Sequence, residues 1–287
     1  MIRRRCRTRA VAIAPLLLVA VLGHRGCATP ETVTNRAMPD ELPPISLVIA
    51  AHNRRAEQLA DLYSYGNIEL RWTDERGRHF EQVDFDLWVD QPERLSFRLD
   101  KLGEALMWIG SDGRDMWVFD FLDRDDTLLT LWPLDTPLGD EAVAERDIFA
   151  LEPADLYDLM GITLLQPLDD PELVWNGEDR TRTITALGLS GRLRVTFREP
   201  DGAVTAVEIF DEAGETLATS TITRVGKAEV ANVADTAWPR LGTRIDIKER
   251  INDADIKLVL VDPTTEVDDQ PLDVVFDVEL LTASLNP

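Results

Sequence analysis

The chain has 287 residues, 53 Asp+Glu against 30 Lys+Arg, and 44% apolar residues, which supplies a substantial core and excludes disorder as a global description. A formal net charge of −23 speaks against a nucleic-acid partner, because so acidic a chain repels phosphates instead of releasing their counterions.

Arg3, Arg4, Arg5, Arg7 and Arg9 precede an uncharged, mostly apolar stretch over 10–23. That stretch is too short for a membrane span of roughly 20 residues, so 1–26 is expected to be a signal peptide. Two cleavage readings stay open. Gly26-Cys27 matches the end of a lipobox, in which Cys27 becomes the lipidated first residue of a lipoprotein. Gly26 and Ala28 also offer the small residues of ordinary cleavage after Ala28, which would leave the protein soluble in the periplasm or secreted. Cutting at 26 removes six arginines and no acid, leaving 24 basic residues against 53 acids, a formal charge of −29. Such a surface repels anionic head groups, so membrane contact falls to the anchor or to a local apolar patch. Cys27 is the only cysteine beyond the basic region, so no disulfide is expected in the folded part. Residues 27–44, with Pro30, Pro39, Pro43 and Pro44, suit a tether.

The folded domain is expected over 45–287. Ile45, Val48, Ile49, His52, Ala56, Leu59 and Leu62 recur at three- and four-residue steps, which predicts an amphipathic helix over 45–62, with Gly66 as its end. The period then becomes two. Val83, Phe85, Leu87 and Val89 alternate with polar residues, and Leu95, Phe97 and Leu99 repeat the pattern. Further strands are expected over 105–111, 114–122 and 127–132, with short antiparallel connections. Trp108 and Trp117 have apolar neighbours on both sides, which places their strands mid-sheet under the helix. Pro153 and Gly161 bracket a short second helix. A meander follows over 181–187, 192–198, where Leu193, Val195 and Phe197 share a face, 204–210 and 215–224. A hairpin is expected over 243–250 and 256–261, and an edge strand over 274–280.

Eleven or twelve strands and two helices leave more apolar sheet face than helix to cover it. The sheet must either close as a filled barrel or curve into a trough that holds a ligand. The leading helix with His52-Asn53-Arg54-Arg55, then Gly66-Asn-Ile-Glu-Leu-Arg-Trp72, Pro92-Glu-Arg-Leu-Ser-Phe-Arg-Leu99, Leu102-Gly103, Ile109-Gly-Ser-Asp-Gly113 and Met116-Trp117 stand in an order that resembles the bacterial lipoprotein-localisation family, the LolA/LolB-like periplasmic carriers and outer-membrane receptors. The likeness is best over 45–121 and looser through the meander and 239–276; the long insertion over 123–167 departs from it. The resemblance implies an α+β fold: a large antiparallel sheet curved into an open half-barrel, lidded by the N-terminal amphipathic helix and the short second helix, with a concave face that takes acyl chains. It also implies a protruding hairpin with an exposed leucine, for which Leu102 is the nearest match.

Catalysis finds little support. Beyond the signal, the histidines are His52, on the apolar helix face and expected to be a satisfied core residue, and His79, beside a turn and expected to be solvated. No Gly-x-Ser-x-Gly elbow is present. Asp123, Asp125 and Asp126, and Asp268-Asp269, lack the ordered ligands of a calcium loop, so neither a metal nor a cofactor is expected. The expectation is therefore a non-enzymatic, exported protein anchored at Cys27 in the cell envelope. It binds acyl chains or another apolar ligand on faces that carry Val83, Phe85, Leu87, Leu95, Phe97, Leu99, Leu193, Val195 and Phe197. Some of these residues should line a cavity and the rest pack under the helix, with Leu102 meeting membrane or cargo. The alternative is an envelope scaffold lipoprotein with a closed core, whose acidic surface docks a basic protein partner. A void of more than a few hundred Å³ would distinguish the two.

Overall fold

The computed structural model describes residues 42–74, 77–90, 94–121, 128–133, 151–211, 213–251, 253–265 and 272–285. Helix α1 (Ile45–Glu57) starts at Pro44, whose carbonyl accepts from Leu47 N at 2.9 Å, and turns Val48, Ile49, His52 and Ala56 inward. It is shorter than the periodicity predicts. Leu59 and Leu62 are buried from the turn that follows it. Gly66 does not end the helix; it sits inside strand β1 (Tyr63–Asp74). A Cβ there would overlap the Val259 carbonyl oxygen of the neighbouring strand and stand 2.7 Å from the Phe85 ring, so the glycine permits a close approach of strands.

The strands that follow are β2 (Gly77–Asp90), β3 (Arg94–Lys101), β4 (Glu104–Asp112), β5 (Asp115–Asp120) and β6 (Leu128–Pro133). Helix α2 (Pro153–Leu159) leads to the short β7 (Gln166–Pro167) and β8 (Leu173–Asn176). The meander is β9 (Thr181–Leu187), β10 (Arg192–Arg198), β11 (Val204–Phe210) and β12 (Thr216–Lys227). β13 (Arg240–Glu249) and β14 (Ala254–Thr264) precede helices α3 (Leu272–Phe276) and α4 (Val278–Leu285). All fourteen strands form one antiparallel sheet in the order β6-β5-β4-β3-β2-β1-β14-β13-β12-β11-β10-β9-β7, with β8 also on β9. The two halves of the chain meet in the middle, where β1 pairs with β14 from Tyr63–Thr264 to Arg71–Asp255, with a register shift between Tyr63 and Tyr65. The sheet is not closed. With four helices among the described residues, it is an α+β open half-barrel.

Alternation assigns the faces. Val83, Phe85, Leu87 and Val89 point to the concave side, and register sets Phe85 beside Leu99, Leu87 beside Phe97 and Val89 beside Leu95. The convex side of the first half is also covered, and here the structure corrects the sequence reading twice. Residues 274–280 are not an edge strand but parts of α3 and α4. Trp108 and Trp117 lie near the β6 edge, and the cover over Trp117 and Phe119 is Leu281 of α4, not α1. Phe276 of α3 packs with Trp88, and the Arg94 guanidinium lies 4.6 Å from the Phe276 ring centre. Gly110 makes room for the Trp117 indole, into which a Cβ would run.

Candidate functional site: the concave face and its strap

All nine residues expected to face a ligand lie in one buried cluster, none more than 5% exposed. The first six come from adjacent strands β2 and β3, where the Phe85 and Phe97 rings sit 5.0 Å apart. Leu193, Val195 and Phe197 come from β10 on the other half, and Phe197 meets the edge of the His52 ring of α1 at 5.5 Å. The structure therefore places both halves of the set on one concave surface.

A strap roofs this surface. Residues 151–165 carry α2, whose first turn is closed by a capping box between Glu152 and Asp155 with Pro153 just inside, and whose end is turned by Gly161 at φ +68°. Leu151, Leu156 and Met160 point from the strap toward Leu87, Leu95 and Phe97. Between them remains a cavity of about 30 Å³, completed by Ile68, Ile109, Ile247, Ile256 and Leu258. Room for a water or so, walled by apolar side chains, stays dry. The resemblance implies the short second helix as part of the lid, and α2 takes that place; its inward-facing Leu156, with Leu151 and Met160 beside it, and the β13–β14 wall are not singled out in the sequence. Their apolar positions are visible in sequence, but which of them turn toward the trough is a matter of topology.

Polar groups of α1 hold the strap. Asn53 makes a reciprocal pair with Leu165, Nδ2–H donating to its carbonyl and Oδ1 accepting its N–H, both at 2.9 Å. Arg55 Nη2 donates to the Gly161 carbonyl at 2.8 Å and to His52 Nδ1 at 2.9 Å. Because the guanidinium can only donate, Nδ1 accepts, and His52 Nε2–H donates to the Thr163 carbonyl at 2.7 Å. Burial first, then the Arg55 charge, lower the His52 pKa to about 3, so the ring stays neutral. The expectation of a satisfied core histidine agrees with this geometry. Burial also lowers Arg55 to about 10.

On the far side of α2, Asp158 accepts from Leu189 N at 3.2 Å, Ser190 N at 2.8 Å and the Ser190 hydroxyl, tying the strap to the β9–β10 turn. Burial raises its pKa against those bonds. Burial likewise raises Asp155 to about 7, opposed by its bond from Glu152 N. Ser220 Oγ donates to the Leu159 carbonyl at 2.6 Å, a third point of attachment.

Leu102 is 97% exposed at the tip of the β3–β4 hairpin. It has φ +55° and Gly103 +83°, and the flanking Lys101 and Glu104 pair across the strands. Lys101 Nζ reaches Glu81 at 2.5 Å. A non-glycine residue at positive φ is uncommon, and a fully exposed leucine there gains no packing in return. His79 is not merely solvated, since its ring stacks on Trp72 at 4.9 Å. Cys27, Asp123, Asp125, Asp126, Asp268 and Asp269 lie outside the described residues. Among the described residues no group of three His, Cys, Asp or Glu side chains is placed to hold a metal, and no helix is long and apolar enough to cross a membrane.

No family model matches the sequence, and neither does any curated protein. A solved structure does share the fold. A DUF1329 family protein from Desulfovibrio piger is similar over 83% of this chain and 99% of its own, with 11% identity and a TM-score of 0.54. A LolA superfamily protein from Nitrosomonas europaea is matched over 80% and 98%, with 14% identity and a TM-score of 0.46. An outer membrane lipoprotein-sorting protein domain from Vibrio parahaemolyticus is matched over 82% and 97%, with 10% identity and a TM-score of 0.49. At 11% identity the likeness to the first of these is one of fold.

Proposed function

We propose that this protein is an exported carrier or receptor that takes acyl chains, of a lipid or a lipoprotein, on its concave face after the strap over 151–165 lifts. The observation that supports it is the roof itself. The trough is covered by a separate segment whose apolar residues Leu151, Leu156 and Met160 stand where a chain would lie, and that segment is held to α1 by polar bonds that can exchange with water. Binding would come from apolar burial at ~25 cal/mol per Å² without covalent chemistry. In this reading Cys27 anchors the protein to the envelope and Leu102 meets membrane or cargo.

One observation favours the second reading, an envelope scaffold with a closed core: a void of about 30 Å³ is far below an acyl chain's needs. Native mass spectrometry of the purified protein, with and without Asn53→Ala, separates the two. The carrier reading expects bound lipid in the wild type, and faster uptake of added fatty acid in Asn53→Ala, whose strap has lost both bonds to Leu165. Absence of lipid from both proteins leaves the scaffold. Leu102→Glu should keep folding and capacity yet slow transfer of lipid to acceptor vesicles, and Cys27→Ala should move the protein from the membrane to the soluble fraction.

A further inference from the structure

The β1–β2 hairpin outruns its neighbours. Pairing of β1 with β14 stops at Arg71–Asp255, and pairing of β2 with β3 stops at Asp84–Asp100. Beyond those points the hairpin continues to Asp74 and Gly77 as a two-stranded ribbon, a form that twists more strongly than a full sheet. Between the ribbon and the start of β14 lies an open cleft of about 540 Å³, far larger than the void under the strap. Its walls alternate in chemistry. Phe80 is 53% exposed, with the Arg71 guanidinium 5.2 Å from its ring centre, and Trp72 is stacked on His79. Arg71 and Arg78 on the ribbon line the cleft together with Asp253 and Asp255 at the start of β14.

We propose that this cleft binds a neutral oligosaccharide. Arg71 is already paired with Glu69 at 3.5 Å, and the lining carries charges of both signs, Arg71 and Arg78 with Asp253 and Asp255, so neither an anion nor a cation meets a wall of opposite charge, while guanidinium donors and carboxylate acceptors match vicinal hydroxyls. Phe80, half exposed and with the Arg71 guanidinium over its ring, offers apolar surface on which the C–H face of a sugar ring packs. None of its residues lines the cavity under the strap, although Trp72 packs against the margin of the buried cluster that forms the trough.

The test titrates the purified protein with maltohexaose, cellohexaose and chitohexaose by calorimetry, with polygalacturonate as the anionic control. Phe80→Ala and Asp255→Asn are the variants, both at exposed positions, checked for folding by circular dichroism. The expected result is saturable binding of at least one neutral hexaose, weakened about tenfold in each variant. Binding of none of the three, binding of polygalacturonate alone, or equal affinity in wild type and both variants overturns the proposal. Loss of bound acyl chains in Phe80→Ala would equally count against it, since that would make the ribbon part of the trough.

Discussion

His52 and Asp155 should make opposite contributions to the pH dependence of stability, and each is visible only when the other is separated from it. In the folded protein His52 stays neutral down to about pH 3, whereas in the unfolded chain it protonates near 6.5. Between those values the unfolded state holds the extra proton. His52 therefore contributes stability that is present above pH 6.5 and lost as pH falls toward 3, at about 1.4 kcal/mol per unit and about 5 kcal/mol in all. Asp155 runs the other way. Its folded pKa is raised from 3.8 to about 7, so its contribution is full below 3.8 and lost as pH rises to 7, about 4 kcal/mol in all. Between about pH 4 and 6.5 the two slopes cancel. Urea unfolding of the wild type, His52→Gln and Asp155→Asn across pH 4 to 8 separates them. Relative to the wild type, His52→Gln should gain about 3 kcal/mol as pH drops from 6.5 to 4, and Asp155→Asn about 4 kcal/mol as pH rises from 4 to 7. Three parallel profiles would refute the assignment of both groups as buried and held in their neutral forms.

Gly66→Ala should cost about 1–3 kcal/mol, because the new Cβ meets the Val259 carbonyl and the strands β1 and β14 must part at the middle of the sheet; an unchanged Tm would remove the close-approach argument. Leu281→Asp places a charge against Trp117 and Phe119, so α4 should detach and the tryptophan emission shift to the red while the far-ultraviolet strand signal persists. Emission identical to that of the wild type would mean that something other than α4 covers those rings.

The strands were legible because one face is buried and alternation leaves no second register: Val83 to Val89 and Leu193 to Phe197 sit where their period put them. The misreadings have physical causes. Gly66 ends a helix pattern and stands in a strand, and sequence alone cannot say whether a glycine turns the chain or admits a neighbour's backbone. Val274, Phe276, Val278 and Leu280 alternate with Val275, Asp277 and Glu279 in a stretch too short to separate a period of two from 3.6. What decides it is demand from elsewhere, since Trp88, Trp117 and Phe119 on the convex side need a cover that an edge strand beyond the sheet could not supply. β7 and β8 were missed because two and four residues carry little pattern; they are strands because β9 offers an open edge. In the trough the floor was readable, and the resemblance supplied the second helix as part of its lid; which of the strap's side chains turn inward was not readable. Leu151, Leu156 and Met160 are ordinary apolar residues until the chain path lays them over Leu87 and Phe97.

That path has a mechanical side. β6 and β7 are successive strands in the chain and yet occupy opposite margins of the sheet. The strap over 151–165, ahead of β7, is fastened through Gly161, Thr163 and Leu165 to α1, through Asp158 to Ser190 on the β9–β10 turn, and through Leu159 to Ser220 on β12. It works as a clasp between the leading helix and the second half of the sheet. A guest that needs room under the strap must undo some of these bonds before it gains anything from the floor.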